Sequence, residues 1–378
     1  MSASYCRGTT AKPHWQNRRF DDTLSPLMTQ NETDFQADDD YVLGALLKSV
    51  SRSFYLTLRV LPDGLREPIG LAYLLARAAD TIADTAIIPP DRRLQLLLSL
   101  RALVNGPYDA AAVREIESAV GVQQSDKNER KLLETLTPAL NILAELSERD
   151  RDEVRRVVTV LTQGMEFDLN TFPVEGAGSL AALQNLAELD RYIYLVAGCV
   201  GEFWTKITMA HTASLNHWDS ADMAACGIRF GKALQLTNVL RDCGKDLRIG
   251  RCYLPQDRLA AHGLVPEDLL RPENSARARP LLNELLRLAL THFLEARRYV
   301  LAIPPNCGRL RLACLWPVLL GLATLKELSA NPDWLDPEKP SKVSRKYVYR
   351  TLAISVPLAG SDIVVGAWID RLAAGVQC

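Results

Sequence analysis

Leu234-Gln-Leu-Thr-Asn-Val-Leu-Arg-Asp-Cys-Gly-Lys-Asp246 is an apolar, helix-forming stretch that ends in two acids four residues apart. Leu234, Asn238, Asp242 and Asp246 recur at i, i+4, i+8 and i+12, so a helix stacks them along one stripe with Cβ atoms about 5–6 Å apart. An earlier segment, Leu71-Ala-Tyr-Leu-Leu-Ala-Arg-Ala-Ala-Asp-Thr-Ile-Ala-Asp84, repeats the device: Asp80 and Asp84 are again spaced i,i+4, with Arg77 one turn earlier. Two apolar helices carrying paired acids, far apart in sequence, form a binding site if they face each other.

Working outward, the remaining text is helical as well. Residues 41–61 read as one apolar-periodic helix broken at Pro62-Asp-Gly64, and residues 66–86 as the helix of the first acid pair. Residues 91–172 read as several helices with polar faces, including the charged run of residues 148–156, a solvated face. Residues 179–211 read as one long helix whose Ala197, Gly198 and Gly201 permit close approach by another backbone or by a long apolar ligand. Helices resume over residues 276–302 and 309–328, and period-two strand text is nearly absent. The fold class is therefore all-α. Residues 1–40 lack periodicity and are expected to be a disordered leader, with Arg7, Lys12, Arg18 and Arg19 not followed by an apolar run of signal-peptide length.

Composition narrows the function. Of 378 residues, 48% are hydrophobic, enough for a sizeable core. The 44 basic and 45 acidic residues nearly cancel, which removes any general argument for nucleic-acid binding, so an anionic substrate must be held locally. The eight cysteines form no Cys-x-x-Cys pair and point to a reducing, cytoplasmic setting and away from a zinc site or a disulfide scaffold. The histidines show no metal-ligand pairing and read as ordinary surface or core residues. The C-terminal text, residues 351–374, is apolar but interrupted by Asp362 and Asp370 and kinked by Pro357. It falls short of the roughly 20 apolar residues a spanning helix needs, leaving a soluble or peripherally membrane-associated protein as the expectation.

Carboxylates at helical spacing suit Mg²⁺ (or Mn²⁺), which takes a few protein carboxylates, waters and substrate phosphate oxygens. Such ions turn a diphosphate into a good leaving group, and the carbocation left behind requires a dry apolar cavity. The chain offers both parts.

The ordered set Ser51-Arg-Ser-Phe54, Arg77-Ala-Ala-Asp-Thr-Ile-Ala-Asp84, Tyr192-Ile-Tyr-Leu-Val-Ala-Gly-Cys-Val-Gly201 and Gln235-Leu-Thr-Asn-Val-Leu-Arg-Asp-Cys-Gly-Lys-Asp246, closed by Gly250-Arg-Cys-Tyr-Leu-Pro255, resembles the squalene/phytoene synthase family over about residues 41–330. The resemblance implies a single-domain isoprenoid-synthase helical bundle with a central apolar cavity over residues 41–335, followed by a C-terminal segment, 336–378. It implies head-to-head (1'-1) condensation of two farnesyl diphosphates through presqualene diphosphate. NADPH reduction then gives squalene; without hydride transfer the product is phytoene, dehydrosqualene or presqualene diphosphate. A reading from another class is a non-catalytic helical scaffold whose acids bind metal structurally.

Residue by residue, the resemblance makes Asp80, Asp84, Asp242 and Asp246 the metal-diphosphate aspartates and Asn238 a further metal ligand. Tyr192 becomes the catalytic phenol, with Tyr194 as the alternative should the helix be rotated. Ser51, Arg52, Ser53, Arg77, Gln235 and Arg241 fall near the diphosphates, while Phe54, Tyr73, Val196, Ala197, Val200, Gly201 and Leu234 line the cavity. Arg77 also has the simpler reading of an ion pair with Asp80. The family often carries another acid beside the first pair; here Ala83 and Thr85 flank Asp84, which reduces the acid count there. Lys342, Arg345 and Lys346, in Ser341-Lys-Val-Ser-Arg-Lys346, resemble the basic stretch that squalene synthases place near NADPH. Three cations in five residues suit a cofactor phosphate, though a solvated basic turn reads the same way.

Overall fold

The computed structural model describes residues 41–50, 54–173, 175 and 178–378. The leader expected over residues 1–40 lies outside them. Among the described residues the architecture is helical, apart from one two-residue parallel pairing of β1 (Ala181–Ala182) with β2 (Arg251–Cys252). The site is framed by α1 (Asp63–Asp84), α2 (Glu148–Thr171), α3 (Leu186–Ile193), α4 (Cys199–His211), α5 (Ser220–Arg248), α6 (Arg279–Ala302) and α7 (Gly308–Ala330). The last two helices, α8 (Arg345–Leu358) and α9 (Asp362–Ala374), pack on α7. One hydrophobic cluster runs from Val42 to Val376, so the C-terminal helices share the core of the rest.

Local chemistry sets the helix starts. Ser147 Oγ accepts from the Asp150 N–H (3.2 Å) ahead of α2, the Asp219 carboxylate from the Asp222 N–H (2.8 Å) ahead of α5, and Ser344 Oγ from the Tyr347 N–H (3.1 Å) ahead of α8. Each such cap contributes about 1 kcal/mol.

Two sequence expectations change. Residues 179–211 are not one helix: the chain first pairs as β1, then forms α3, and a π-helical turn over Tyr194–Gly198 joins α3 to α4. Wide turns of this kind insert one residue into the helical register and are frequent at functional sites. Residues 41–61 begin with a π-helical segment, Tyr41–Leu46, before Leu47–Val50, and helix resumes at Phe54–Val60.

The small residues of the 192–201 stretch serve backbone contact. A Cβ on Gly201 would sit 1.8 Å from the Gly227 carbonyl oxygen, and one on Gly231 would sit 2.1 Å from that of Ala197. The Tyr194–Gly198 turn and α4 therefore lie directly on the α5 backbone.

Helix α7 is long and apolar enough to cross a membrane, with a mean hydropathy of 1.4 in its most apolar window. That qualifies the expectation of no spanning segment. Yet 72% of the window is buried inside the protein, against α5, α6 and the C-terminal helices, as in the core helix of a globular bundle.

Candidate active site

Helix α1 presents Tyr73, Arg77, Asp80 and Asp84 at i, i+4, i+7 and i+11, one stripe of an otherwise buried helix. Asp80 and Asp84 open onto a cavity of about 240 Å³ shared with Met165 and Asp168 of α2, Tyr192 of α3, Gln235 of α5 and Arg251 of β2. Asp80 and Met165 also border a neighbouring cleft with Tyr73, Arg77 and Val50. On the other side Val196 borders both the acidic cavity and an apolar chamber of about 190 Å³. Ala197, Val200, Gly201 and Leu234 line that chamber, opposite Cys314 and Pro317 of α7. A polar mouth thus continues into an apolar interior.

Burial, and after it neighbouring charge, disturbs the acids. Burial, followed by the charge of Asp80, raises Asp84 to about 6, although its carboxylate remains open to solvent across the cavity. Burial and then Asp242 raise Asp246 to about 7. Burial raises Asp80 as well, opposed by Arg77. One cation answers several of these groups: Arg251, on the cavity wall with Asp84 and Asp168, draws Asp84, Asp168 and Asp246 back down.

The backbone holds Arg251 there. Gly250 takes φ +85°, a left-handed conformation, and a Cβ on it would fall 2.7 Å from the Ser179 carbonyl oxygen. The β pairing follows at once, with the Ala181 N–H donating to the Gly250 carbonyl (3.0 Å) and the Leu183 N–H to that of Cys252 (3.1 Å).

Tyr192, 5% exposed, faces the acidic cavity, with its ring stacked on Tyr253 at 4.6 Å and its hydroxyl donating to Asp168 Oδ2 at 3.5 Å. Tyr194 does not compete, because its hydroxyl donates to Glu202 (3.3 Å) on the far side of the wide turn. Arg77 is held by both Asp80 and Glu129, the ion-pair reading extended by a second acid.

On α5, Gln235, Asn238, Asp242 and Asp246 follow one stripe, of which Gln235 reaches the cavity wall. Asn238 Nδ2 donates to Gln235 Oε1 (3.4 Å), and Arg241 pairs with Asp242. Asn238, Arg241, Asp242 and Asp246 are not part of the cavity lining, so neither acid of the second pair opens onto it. Ser51, Arg52 and Ser53 lie outside the described residues, as does the side chain of Phe54, whose backbone opens the helix Phe54–Val60. Lys342, Arg345 and Lys346 are exposed at the start of α8 and do not line the cavities.

Sequence reasoning missed Asp168 and gave no role to Arg251 or Tyr253. A signal for Asp168 exists: Leu161, Met165, Asp168 and Phe172 fall at i, i+4, i+7 and i+11, an acid within an apolar stripe. The solvated reading of residues 148–156 also needs correction at Asp150, which is 6% exposed and paired with His211 Nε2 at 2.9 Å.

Among the described residues the structure is thus a helical bundle with a carboxylate-lined mouth beside an apolar chamber, and comparison with known proteins says which family builds it. The chain belongs to the squalene/phytoene synthase family, whose family model matches residues 47–347. It is 26% identical over 290 residues to the squalene synthase of Schizosaccharomyces pombe, covering 76% of this chain and 59% of that one. It is 29% identical over 301 residues to a chloroplastic phytoene synthase of Zea mays, covering 76% and 61%. The chain thus spans about six-tenths of the length of these relatives. The solved complex of TcSQS with the ligand BPH1237 shares the fold at a TM-score of 0.67 and 20% identity, covering 91% of this chain and 100% of that one.

Proposed function

We propose that this protein condenses two farnesyl diphosphates head to head through presqualene diphosphate and reduces the product with NADPH to squalene. The observation that carries the reading is the continuity, through Val196, of the Asp80/Asp84 mouth with the apolar chamber.

The donor set fits Mg²⁺: oxygen ligands alone, on acids whose affinity for protons is raised first by burial and then by the neighbouring acid of the pair, both of which a bound cation would offset. Among the described residues no three His, Cys, Asp or Glu side chains converge on one metal position. That suits an ion whose shell is completed by water and substrate phosphate. Asp80, Asp84, Asp242 and Asp246, with Asn238, would hold it; when bound, it neutralises the diphosphate and makes it a better leaving group. Arg251 and Gln235 would orient the diphosphate from the opposite wall. The chamber between Val196 and Pro317 would exclude water from the allylic cation, and the Tyr192 phenol would offer it a neutral oxygen. Lys342, Arg345 and Lys346 support a contact with the NADPH phosphate.

A second reading ends the same ionisation by proton loss, to phytoene, dehydrosqualene or unreduced presqualene diphosphate. The match to a phytoene synthase at similar identity favours it. Incubation with farnesyl diphosphate and Mg²⁺, with and without NADPH, separates the two, since a product unchanged by NADPH removes the squalene assignment. Asp80→Asn and Asp242→Asn should each lower diphosphate release about 100-fold, as expected when one preorganised charge-stabilising group is lost. Release unaltered in both variants would leave the metal-binding scaffold.

The same protein would touch a membrane peripherally through its last two helices. Val356 and Ile363, 58% and 85% exposed, crown the α8–α9 turn, and Arg345, Lys346 and Arg350 precede them on α8. Exposed apolar side chains at the turn, with cations toward the opposite end of α8, would suit an anionic bilayer surface.

A further inference from the structure

Asp168 belongs to neither acid pair, yet it organises one wall of the site. Its Oδ2 accepts from the Tyr253 hydroxyl at 3.0 Å and from the Tyr192 hydroxyl at 3.5 Å, and lies 3.9 Å from Arg251 Nη1. Its Oδ1 is buried with no hydrogen-bond partner. The two phenol rings are stacked, and Phe172 packs edge-on against Tyr253 at 4.9 Å, so neither ring is free to swing. Leaving a buried carboxylate oxygen unpartnered is costly, and sites that retain such an arrangement do so for a function more often than for stability.

We propose that Asp168 is a positioning residue for Tyr192 in the condensation proposed above, on which this inference rests. By taking both hydroxyl protons on one oxygen, it leaves the Tyr192 phenol only its lone pairs to offer. Tyr192 then meets the acidic cavity as a hydrogen-bond acceptor in one orientation, able to face a positive carbon and unable to donate to the departing diphosphate. Tyr253 braces the arrangement from behind. Burial and the neighbouring Asp168 charge both raise the Tyr192 pKa, which keeps the phenol neutral through the working pH range.

The test uses the full chain with farnesyl diphosphate, Mg²⁺ and NADPH. Asp168→Asn can still accept from one phenol but can also donate, and should lower kcat about 10–100-fold, the scale of a misplaced reacting group, with KM within about threefold. The later steps should suffer most, so presqualene diphosphate and water-quenched alcohols rise relative to hydrocarbon. Tyr192→Phe combined with Asp168→Asn should be no worse than Tyr192→Phe alone, because one residue acts through the other. Tyr253→Phe, which keeps the ring stack, is a second variant should Asp168→Asn fold poorly; it should shift the product ratio the same way. Wild-type rates and products in Asp168→Asn, or losses that multiply in the double variant, would overturn the inference while the functional reading stands. A wild type that releases no diphosphate would withdraw both.

Discussion

Arg251 Nη1 stands 3.9 Å from Asp168 Oδ2, and the same guanidinium moderates Asp84 of α1 and Asp246 of α5, acids from two distant helices. A single cation fixed by a glycine turn and a two-residue strand thus joins two acid helices that nothing in their own sequences connects. Arg251→Gln should raise the proton affinity of all three acids and lower diphosphate release about 100-fold at neutral pH. A pH-rate profile whose acidic limb moves to higher pH would report the change, and an unmoved limb would contradict it.

Metal-free stability should decline with rising pH. Asp84 and Asp246 bind protons more tightly in the folded protein, at about 6 and about 7, than in the unfolded chain at 3.8. Between those limits the native state carries more protons than the unfolded one, so stability is fully present below about pH 4 for these groups and is lost as pH rises through 6 to 7. Urea midpoints with chelator present should be higher at pH 5 than at pH 8, and Mg²⁺ should recover more at pH 8. Equal midpoints would show that the acids are not strained.

Replacement of Gly231 by alanine tests the contact between α5 and the turn before α4. Its new methyl would lie 2.1 Å from the Ala197 carbonyl oxygen, backbone against backbone, so neither side can yield by a rotamer change. A loss of about 1–3 kcal/mol in chemical denaturation is expected, the usual cost of overpacking. Gly308→Ala, where nothing lies within 4 Å, is the matched control and should be near neutral.

Peripheral membrane contact predicts that the purified chain floats with vesicles containing anionic lipid and less well with neutral ones. Ile363→Asp should abolish flotation and Lys346→Glu should weaken it, in a salt-dependent way. Flotation unaltered by Ile363→Asp would move the contact elsewhere.

Much of the architecture was readable from local pattern. Helical periodicity and the lack of alternating text gave an all-α chain, and spacing alone put Arg77, Asp80 and Asp84 on one stripe, while Tyr73 came from family resemblance. The choice of Tyr192 over Tyr194 came from family resemblance; the structure places Tyr192 on the cavity wall, and the two hydroxyls have different partners, Asp168 and Glu202. What escaped depends on contacts between distant segments. Nothing in residues 165–168 announces that Tyr253, 85 residues later, will donate to Asp168. The break of the 179–211 text at β1 arises because Ala181 finds Gly250 across space, a pairing that overrides local helix propensity. Asp150 read as solvated because its run is charged; only the approach of His211 from α4 makes it a buried pair.

Where Gly201 meets Gly227 and Gly231 meets Ala197, two main chains touch without side chains between them. One flank of the apolar chamber is consequently as stiff as a backbone, since packed interfaces of this kind switch between discrete arrangements and do not stretch. Any adjustment to a longer or bulkier occupant must come from the facing side, where Cys314 and Pro317 of α7 line the chamber.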